Sequence, residues 1–446
     1  MTSEFDRNIM DLVNLLNSNR ERGCDVVEHA LQLLDRTLMP STPFNLDNPN
    51  VKDAVEGAFT GLVLLARIFR CFKLKSSHMR PLEDMCLPRI IEWWADLTSW
   101  VVAIITDAGQ AMNPHAILSL CAEAVEGVIY NADDNPGKCE LVSLPVTADV
   151  ICTLLAQTPK SIKSYFYILG PSDECMIIEL FWAFASTQNG CQSFILAFNS
   201  YDSKMKRRVV DSLTIRFGQL GTDPKKDDPH HIGPSFAKSL CHLIQGLALV
   251  LQDDEIFRRL LRHDFIGLCA YALDTLAGRG VTSPSHAVEF WEFLSEATIC
   301  FFQDIILKRA KSPYLELTQA LKDGFLQCAQ QCLLNVKSKE MQERLLCGVF
   351  AEVCNYYTCQ DVLFGGALKI ERDLATKVEK RYPPKLYPMI GSLSRCIVDC
   401  CASLKEGTEL LVNLCSNLNV RCYQILLALV SPELIWNIIA ALPGAS

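Results

Sequence analysis

The stretch from Ser235 to Gly278 has the most regular alternation of apolar and polar positions in the chain. Its first part carries apolar residues every three or four positions, which predicts an amphipathic helix with a wide buried stripe. The stripe consists of Phe236, Ala237, Leu240, Cys241, Leu243, Ile244, Leu247, Ala248, Val250 and Leu251. Asp253 and Asp254 can cap a short second helix, Asp264 can cap a third, and Gly278 is a typical helix stop. Three consecutive helices this apolar need neighbouring helices to pack against.

Similar stripes follow one another along nearly the whole chain, in segments of about 10 to 20 residues. The segment Tyr314–Leu334, for example, is predicted to form one helix. No alternating strand pattern recurs, and the short aromatic run at 164–169 has no second strand to pair with. The predicted fold class is therefore all-α. The polar loop at 221–234 separates an N-terminal helical half, 1–220, from a C-terminal half, 235–446, and we expect the two halves to form one continuous stack.

The segment EIFRRLLRHDFIGLCAYALDTLAG at 255–278 combines a short basic helix, a turn and an apolar helix. It resembles the short-helix and long-helix part of an armadillo-type repeat. KMKRRVVDSLTIRFGQL at 204–220 and GTELLVNLCSNLNVRCYQILLAL at 407–429 resemble it more loosely. The resemblance implies a right-handed superhelical stack of helical hairpins, an armadillo-like or HEAT-like α-solenoid with irregular repeats.

The whole chain also resembles uncharacterised fungal helical proteins, some of which carry a MYND-type zinc finger. That finger needs paired Cys-x-x-Cys units followed by His and Cys, and this chain contains no Cys-x-x-Cys. The zinc of the finger and its partner-binding role are therefore not implied here.

Composition narrows the function classes. A formal net charge of -9 and a pI near 5.5 argue against a general nucleic-acid binder, which needs a basic excess. The start of the chain is acidic and amphipathic, unlike a signal peptide. Together with 21 cysteines, many on apolar stripes, this predicts free thiols in a reducing compartment, the cytosol or nucleus. The apolar segment 423–442 contains Pro432 and Glu433, so we expect two short helices there and not a membrane span.

The cysteines and histidines do not show the spacing of a metal site. A structural zinc site usually takes its four ligands from close pairs such as Cys-x-x-Cys. Two cysteine pairs are one helical turn apart, Cys328 with Cys332 and Cys396 with Cys400. A core stripe gives the same spacing, so we expect core thiols. His230 and His231 lie beside two aspartates in the polar loop, where a solvated loop is expected. No metal and no cofactor are predicted.

No catalytic motif is found in the sequence: there is no His-Glu-x-x-His, no Gly-x-Ser-x-Gly and no phosphate-binding glycine loop. No catalytic residue is therefore assigned. Glu179 and Glu292 lie within apolar stripes. Such a carboxylate is either buried and tuned for acid–base chemistry or reaches solvent at the edge of the stripe, and both alternatives stay open. His242 falls on the polar side of its helix and is expected at the surface.

Two basic clusters are the candidate partner-binding residues. They are Lys204, Lys206, Arg207 and Arg208 in one segment and Arg258, Arg259 and Arg262 in the next. On successive short helices they would form a positive strip that fits an acidic peptide segment or, as a weaker alternative, RNA. The other interpretation is an ordinary solvated helix face. Reversal of Arg207 and Arg208 to Glu separates the two interpretations.

These observations predict a non-catalytic, protein-binding helical scaffold or adaptor whose partners are other proteins. The alternative from another class is an all-α enzyme or small-ligand-binding protein with a pocket between helices that uses Glu179 or Glu292. A weaker third hypothesis is a cysteine-based metal or redox sensor.

Overall fold

A computed structural model gives the arrangement of most of the chain. The structure describes residues 20–73, 80–107, 114–130, 132, 135–157, 175–221, 234–282, 287–310, 313–345, 348–349 and 352–353. These residues form 17 α-helices and contain no β-strand, which confirms the all-α fold class. The helices are α1 (Arg20–Gln32), α2 (Pro49–Lys73), α3 (Arg80–Glu92), α4 (Trp94–Thr106), α5 (Pro114–Ile129), α6 (Pro136–Ser143), α7 (Pro145–Ala156), α8 (Met176–Ala185), α9 (Gln188–Ser200), α10 (Ser203–Gly221), α11 (Pro234–Val250), α12 (Asp254–Leu261), α13 (Phe265–Thr282), α14 (Ala287–Cys300, continued as a π-helix over Phe301–Leu307), α15 (Pro313–Lys322), α16 (Phe325–Asn335) and α17 (Lys339–Leu345).

Side-chain caps fix where several helices begin. The carboxylate of Asp253 accepts hydrogen bonds from the backbone N–H groups of Glu255 and Ile256, at 2.9 and 3.0 Å, at the start of α12. The hydroxyl of Thr187 accepts from the N–H of Gly190, at 3.0 Å, at the start of α9. Each cap satisfies a backbone donor that the first helical turn leaves unpaired. The predicted cap of α12 by Asp253 is confirmed.

The third helix of the opening stretch, α13, is predicted correctly at its start and wrongly at its end. The carboxylate of Asp264 accepts a hydrogen bond from the N–H of Gly267, as a cap does. The prediction that Gly278 stops the helix is wrong, because α13 continues to Thr282. A Cβ atom on Gly278 would meet nothing within 4 Å, so this glycine occupies an open, exposed helical position.

The predicted single helix over Tyr314–Leu334 is also wrong. The structure has two helices there, and α15 ends at Lys322 while α16 begins at Phe325. The break occurs at Gly324, whose φ of +94° lies in the left-handed region that glycine adopts without steric cost. Periodicity alone does not show such a break, because the apolar stripe continues on both sides of it.

The helices pack with a period of three along the chain. One row is formed by α2, α5, α8, α11, α14 and α17, each packed against the next, and we call it the third-helix row. A second row is formed in the same way by α4, α7, α10, α13 and α16. The short helices α3, α6 and α9 also contact one another in sequence. A contiguous set of buried apolar side chains runs from Val27 in α1 to Val353.

The two predicted halves of the chain contact each other through this core. Helix α8 packs on α11, and α10 packs on α13, across the predicted loop. Residues 222–233 of that loop, with His230 and His231, lie outside the described residues. The same holds for residues 1–19 and 354–446, which include the repeat-like segment at 407–429, the Cys396–Cys400 pair and the apolar segment at 423–442.

Candidate functional site

The structure places the two predicted basic clusters on neighbouring helices. We call the seven residues together the basic face: Lys204, Lys206, Arg207, Arg208, Arg258, Arg259 and Arg262. The first four lie in the first turns of α10, and the arginines lie in or directly after α12. Helices α10 and α12 contact each other, and Asp211 Oδ1 of α10 lies 3.1 Å from Nδ1 of His263, just after α12.

Acidic side chains neutralise part of this basic face. Glu255 accepts a hydrogen bond from Arg259 Nε at 2.7 Å, and its other oxygen lies 3.2 Å from Arg258. The hydrogen bond from Arg259, with the nearby charges of Arg258 and Lys206, lowers the pKa of Glu255. These pairs lie within one helical turn of each other and at the surface, where they contribute little to stability.

The four basic residues of α10 differ in the contacts that their side chains make. The guanidinium of Arg208 donates to the carbonyl of Ala156, the last residue of α7, at 3.3 Å. Lys206 Nζ lies 5.9 Å from the ring centre of Phe198, and Arg207 lies 3.4 Å from Asp211 within its own helix.

The fourth residue, Lys204, is exposed, as is Arg262 on the neighbouring segment. Neither Lys204 nor Arg262 forms an ion pair with any residue that the structure describes. Lys204 and Arg262, with the largely exposed Arg207, therefore carry the charge that solvent or a partner meets.

A second polar region lies between helices and contains Glu179, a residue of the alternative pocket hypothesis, together with His242, which was expected at the surface. Glu179 in α8 and His242 in α11 are only 5% and 6% exposed. Both carboxylate oxygens of Glu179 lie close to Nδ1 of His242, at 2.8 and 2.9 Å, so this nitrogen donates to the carboxylate. The prediction that His242 lies at the surface is wrong, because α8 covers the side of α11 that carries it. Glu179 is buried, whereas Glu292 is half-buried.

Aromatic rings and a lysine complete this region, which we call the Glu179–His242 cluster. The indole of Trp182 stacks on the imidazole of His242, with ring centres 4.0 Å apart and planes 5° apart. Phe293 of α14 meets the same imidazole edge-on at 6.4 Å. Lys238 Nζ lies 3.9 Å from Glu179. The imidazole of His242 in α11 thus contacts side chains of α8 and α14. The Glu179 carboxylate already accepts a hydrogen bond from this imidazole.

Ion pairs bridge neighbouring helices at other positions of the third-helix row. Arg70 in α2 pairs with Glu123 in α5, and both are largely buried. Arg344 in α17 binds both oxygens of Glu296 in α14, at 2.6 and 3.1 Å. The sequence does not reveal these pairs, because 48 or more residues separate the members of each pair.

The thiols that the structure describes are mostly buried. Cys328 and Cys332 are fully buried in α16, with sulfur atoms 4.0 Å apart and the Thr298 hydroxyl 3.5 and 3.7 Å away. Burial, with the hydrogen bond to Cys332, raises the pKa of Cys328. The expectation that both are core residues is confirmed. Within the described ranges, no three His, Cys, Asp or Glu side chains are grouped as a metal site requires.

Comparison of the chain with protein-family models, with curated proteins and with solved structures gave no match. Among the described residues, no single helix is both long and apolar enough to cross a membrane. Helices α6 and α7 reach that length and apolarity only as a pair, and they are bent by 66° at the break between them.

Proposed function

We propose that this chain is an armadillo-like α-solenoid that binds other proteins and acts as a scaffold or adaptor. The observation that carries the proposal is that many helices pack on the helix three places further along, which forms the third-helix row and the second row. In helical-repeat proteins each unit contacts mainly its neighbours, and the stack offers an extended surface to partners. The short helix, turn and long helix of α12 and α13 also have the lengths that the armadillo resemblance implies.

The described charges support a scaffold better than a pocket enzyme. A general base must have an oxygen or nitrogen free for its substrate. The Glu179 carboxylate lies against His242 Nδ1, and the imidazole is covered by Trp182 on one face. The Glu179 carboxylate thus already cross-links α8 to α11.

The partner surface that we propose is the basic face, and its ligand is an acidic segment of another protein. Lys204, Arg207 and Arg262 supply the exposed charge, since Arg208 is engaged with α7 and Arg259 with Glu255. Exposed charges of this kind steer association and fix the register of a partner more than they add affinity. Binding should therefore weaken as the salt concentration rises.

The test compares three forms of the full chain as bait for partner proteins identified by mass spectrometry. The first is the wild type, and the second is the reversal Lys204→Glu, Arg207→Glu, Arg262→Glu. The third is a matched reversal of exposed cations elsewhere, Arg36→Glu, Lys52→Glu, Lys337→Glu, with the same change of net charge. Partners that carry acidic segments should be captured by the wild type and the matched control and lost from the basic-face variant.

Two outcomes contradict the proposal, and they are distinguishable. If the wild type captures no protein above background, the scaffold function itself is wrong. If all three forms capture the same proteins equally, the scaffold function stands and the basic face is not its binding surface. Circular dichroism of each form shows whether a lost partner reflects lost folding.

A further inference from the structure

The thiols of Cys24 and Cys86 lie in contact although 62 residues separate them in sequence. Their sulfur atoms are 3.4 Å apart. Cys24 belongs to α1 and Cys86 to α3, and these two helices pack directly on each other. Both cysteines are free thiols in the structure. A disulfide between them would need only a short approach of the two sulfurs.

The two thiols differ in their access to solvent. Cys24 is half-buried, whereas Cys86 is 1% exposed and belongs to the hydrophobic core. A small oxidant from solvent therefore has easier access to Cys24 than to Cys86. This order matches the roles of an attacking thiol and a resolving thiol in redox-sensitive pairs.

The Cys328–Cys332 pair provides a comparison inside the same molecule. Its sulfurs are also near each other, at 4.0 Å, but both thiols are fully buried in the interior. Both also lie on one helix, so a bond between them would join no separate elements. Access and topology thus distinguish the Cys24–Cys86 pair from a core thiol pair of similar spacing.

We propose that Cys24 and Cys86 form a reversible disulfide when the protein meets a peroxide, and that this bond fastens α1 to α3. The Cys24 thiolate attacks one peroxide oxygen, the O–O bond breaks, and hydroxide or an alkoxide leaves and takes up a proton. The product is a sulfenic acid on Cys24. The Cys86 sulfur then loses its proton and attacks the Cys24 sulfur, the S–O bond breaks, and the departing hydroxide leaves as water. Two thiols are oxidised and one peroxide is reduced.

The disulfide has a structural consequence for the packing of two separate helices. Helices α1 and α3 pack directly on each other, and no covalent bond joins their side chains in the reduced protein. A covalent link between them closes a loop of 62 residues and restricts the unfolded forms of this part of the chain. A cellular dithiol can reverse the bond by thiol–disulfide exchange.

The attack of Cys86 on the Cys24 sulfenic acid should be slow near neutral pH and faster in alkaline buffer. Burial, the hydrogen bond with Cys24 and the charge of Glu83 all raise the pKa of Cys86. Less of this thiol is therefore ionised at neutral pH than of an exposed cysteine, and only the thiolate attacks readily. The rate of disulfide formation should rise steadily with pH.

The test treats the folded full-length chain with hydrogen peroxide, blocks the remaining thiols with an alkylating reagent and maps the peptides without reduction. We expect one cross-linked pair, Cys24 with Cys86, that disappears after treatment with a dithiol. In the Cys86→Ala variant, Cys24 should instead be trapped as a sulfenic acid by dimedone. The Cys332→Ser variant is the control and should form the Cys24–Cys86 link at the rate of the wild type.

Hydrogen exchange in α1 is the second measurement, and it does not need a variant. Amides of α1 should exchange more slowly in the oxidised wild type than in the reduced protein. The proposal is overturned if both thiols stay alkylatable after peroxide treatment, or if Cys24 is over-oxidised or linked elsewhere while Cys86 remains free. The proposal is equally overturned if the disulfide forms and hydrogen exchange in α1 does not change, because the bond would then not stabilise the packing of α1 on α3.

Discussion

The basic face and the Glu179–His242 cluster use charged side chains in opposite ways. On the basic face, Glu255 and Asp211 neutralise arginines of their own helix, three or four residues away, in contact with water. In the cluster, Glu179 and His242 come from different helices and are almost completely buried. The first kind of pair forms whenever its helix forms. The second kind forms only when the two helices are packed together.

The two kinds of pair therefore differ in what the loss of one member costs. A buried hydrogen-bonded pair that loses one member leaves a polar group without water and without a partner, which is costly. An exposed pair that loses one member exchanges its partner for water at little cost. Substitutions in the cluster should therefore change stability, and substitutions on the basic face should change binding alone.

The largest expected effect is that of Glu179→Ala. The substitution leaves the buried His242 Nδ1 without its acceptor and should lower the free energy of unfolding by about 2 kcal/mol. Glu179→Gln should cost less, because the amide oxygen can still accept from His242. Urea unfolding followed by circular dichroism measures both changes as a lower midpoint.

The matched control for that substitution is Glu255→Ala on the basic face. It also removes a glutamate with two basic neighbours, but the carboxylate is in contact with water. Its unfolding midpoint should stay within experimental error of the wild type. If Glu179→Ala and Glu255→Ala shift the midpoint equally, the contrast between the two regions is wrong.

An intermediate effect is expected for Arg344→Ala, at the α14–α17 contact. Arg344 and Glu296 bridge two helices as the buried cluster does, but their side chains are 40% and 28% exposed. A bidentate pair of this kind contributes about 1 kcal/mol. Loss of that amount from the local stability of α17 should speed hydrogen exchange at Lys339–Leu345 by about fivefold.

The control for this prediction is Lys308→Ala. Lys308 pairs with Asp304 at 2.6 Å within the same helical segment, so its removal separates no helices. Exchange in α17 should not change in this variant. Fast exchange in α17 after Lys308→Ala would mean that general loss of charge, and not the bridge between α14 and α17, controls the mobility of this helix.

Features that depend on local sequence were predictable in this chain. The stripe at Phe236–Leu251 is buried as expected, apart from the half-buried Phe236, because helical spacing determines which side chains share a face. The caps at Asp253 and Asp264 were predictable for the same reason, since a cap acts over three residues. The counter-charges of Asp211 and Glu255 on the basic face lie within one turn of their arginines, and that spacing was visible in the sequence.

Features that depend on packing between distant residues were not predictable. Gly278 was expected to stop a helix and does not, whereas Gly324, inside a predicted helix, breaks it. A Cβ atom at Gly324 would lie 2.6 Å from the side chain of Asp274 in α13, whereas Gly278 has open space around it. His242 looked like a surface residue because its acceptor, Glu179, is 63 residues away in sequence.

The smallest effect is expected for Asp264→Asn, at the turn between α12 and α13 beside the basic face. Asp264 has a φ of 55°, a conformation that asparagine adopts readily, and asparagine is also a good helix cap. Burial and the charge of Asp323 raise the pKa of Asp264, although the hydrogen bond from Gly267 opposes the shift. The charge of Asp323 thus repels the Asp264 carboxylate. Replacing the charged Asp264 with neutral Asn should therefore stabilise the protein at neutral pH by about 0.5 kcal/mol.

The sign of this effect depends on pH. A carboxyl whose pKa is raised in the folded state favours folding below its unfolded pKa, and this contribution is lost as pH rises through the folded value. The advantage of Asp264→Asn over the wild type should therefore be present at neutral pH and disappear near pH 4 and below, in urea midpoints measured across that range. Asp253→Asn is the control, because it keeps a cap at α12 and should show no such advantage. A variant that is less stable than the wild type at neutral pH would show that the cap on Gly267 outweighs the repulsion from Asp323. Interactions of a charged group with another helix would then affect stability only where the group is buried, as Glu179 is.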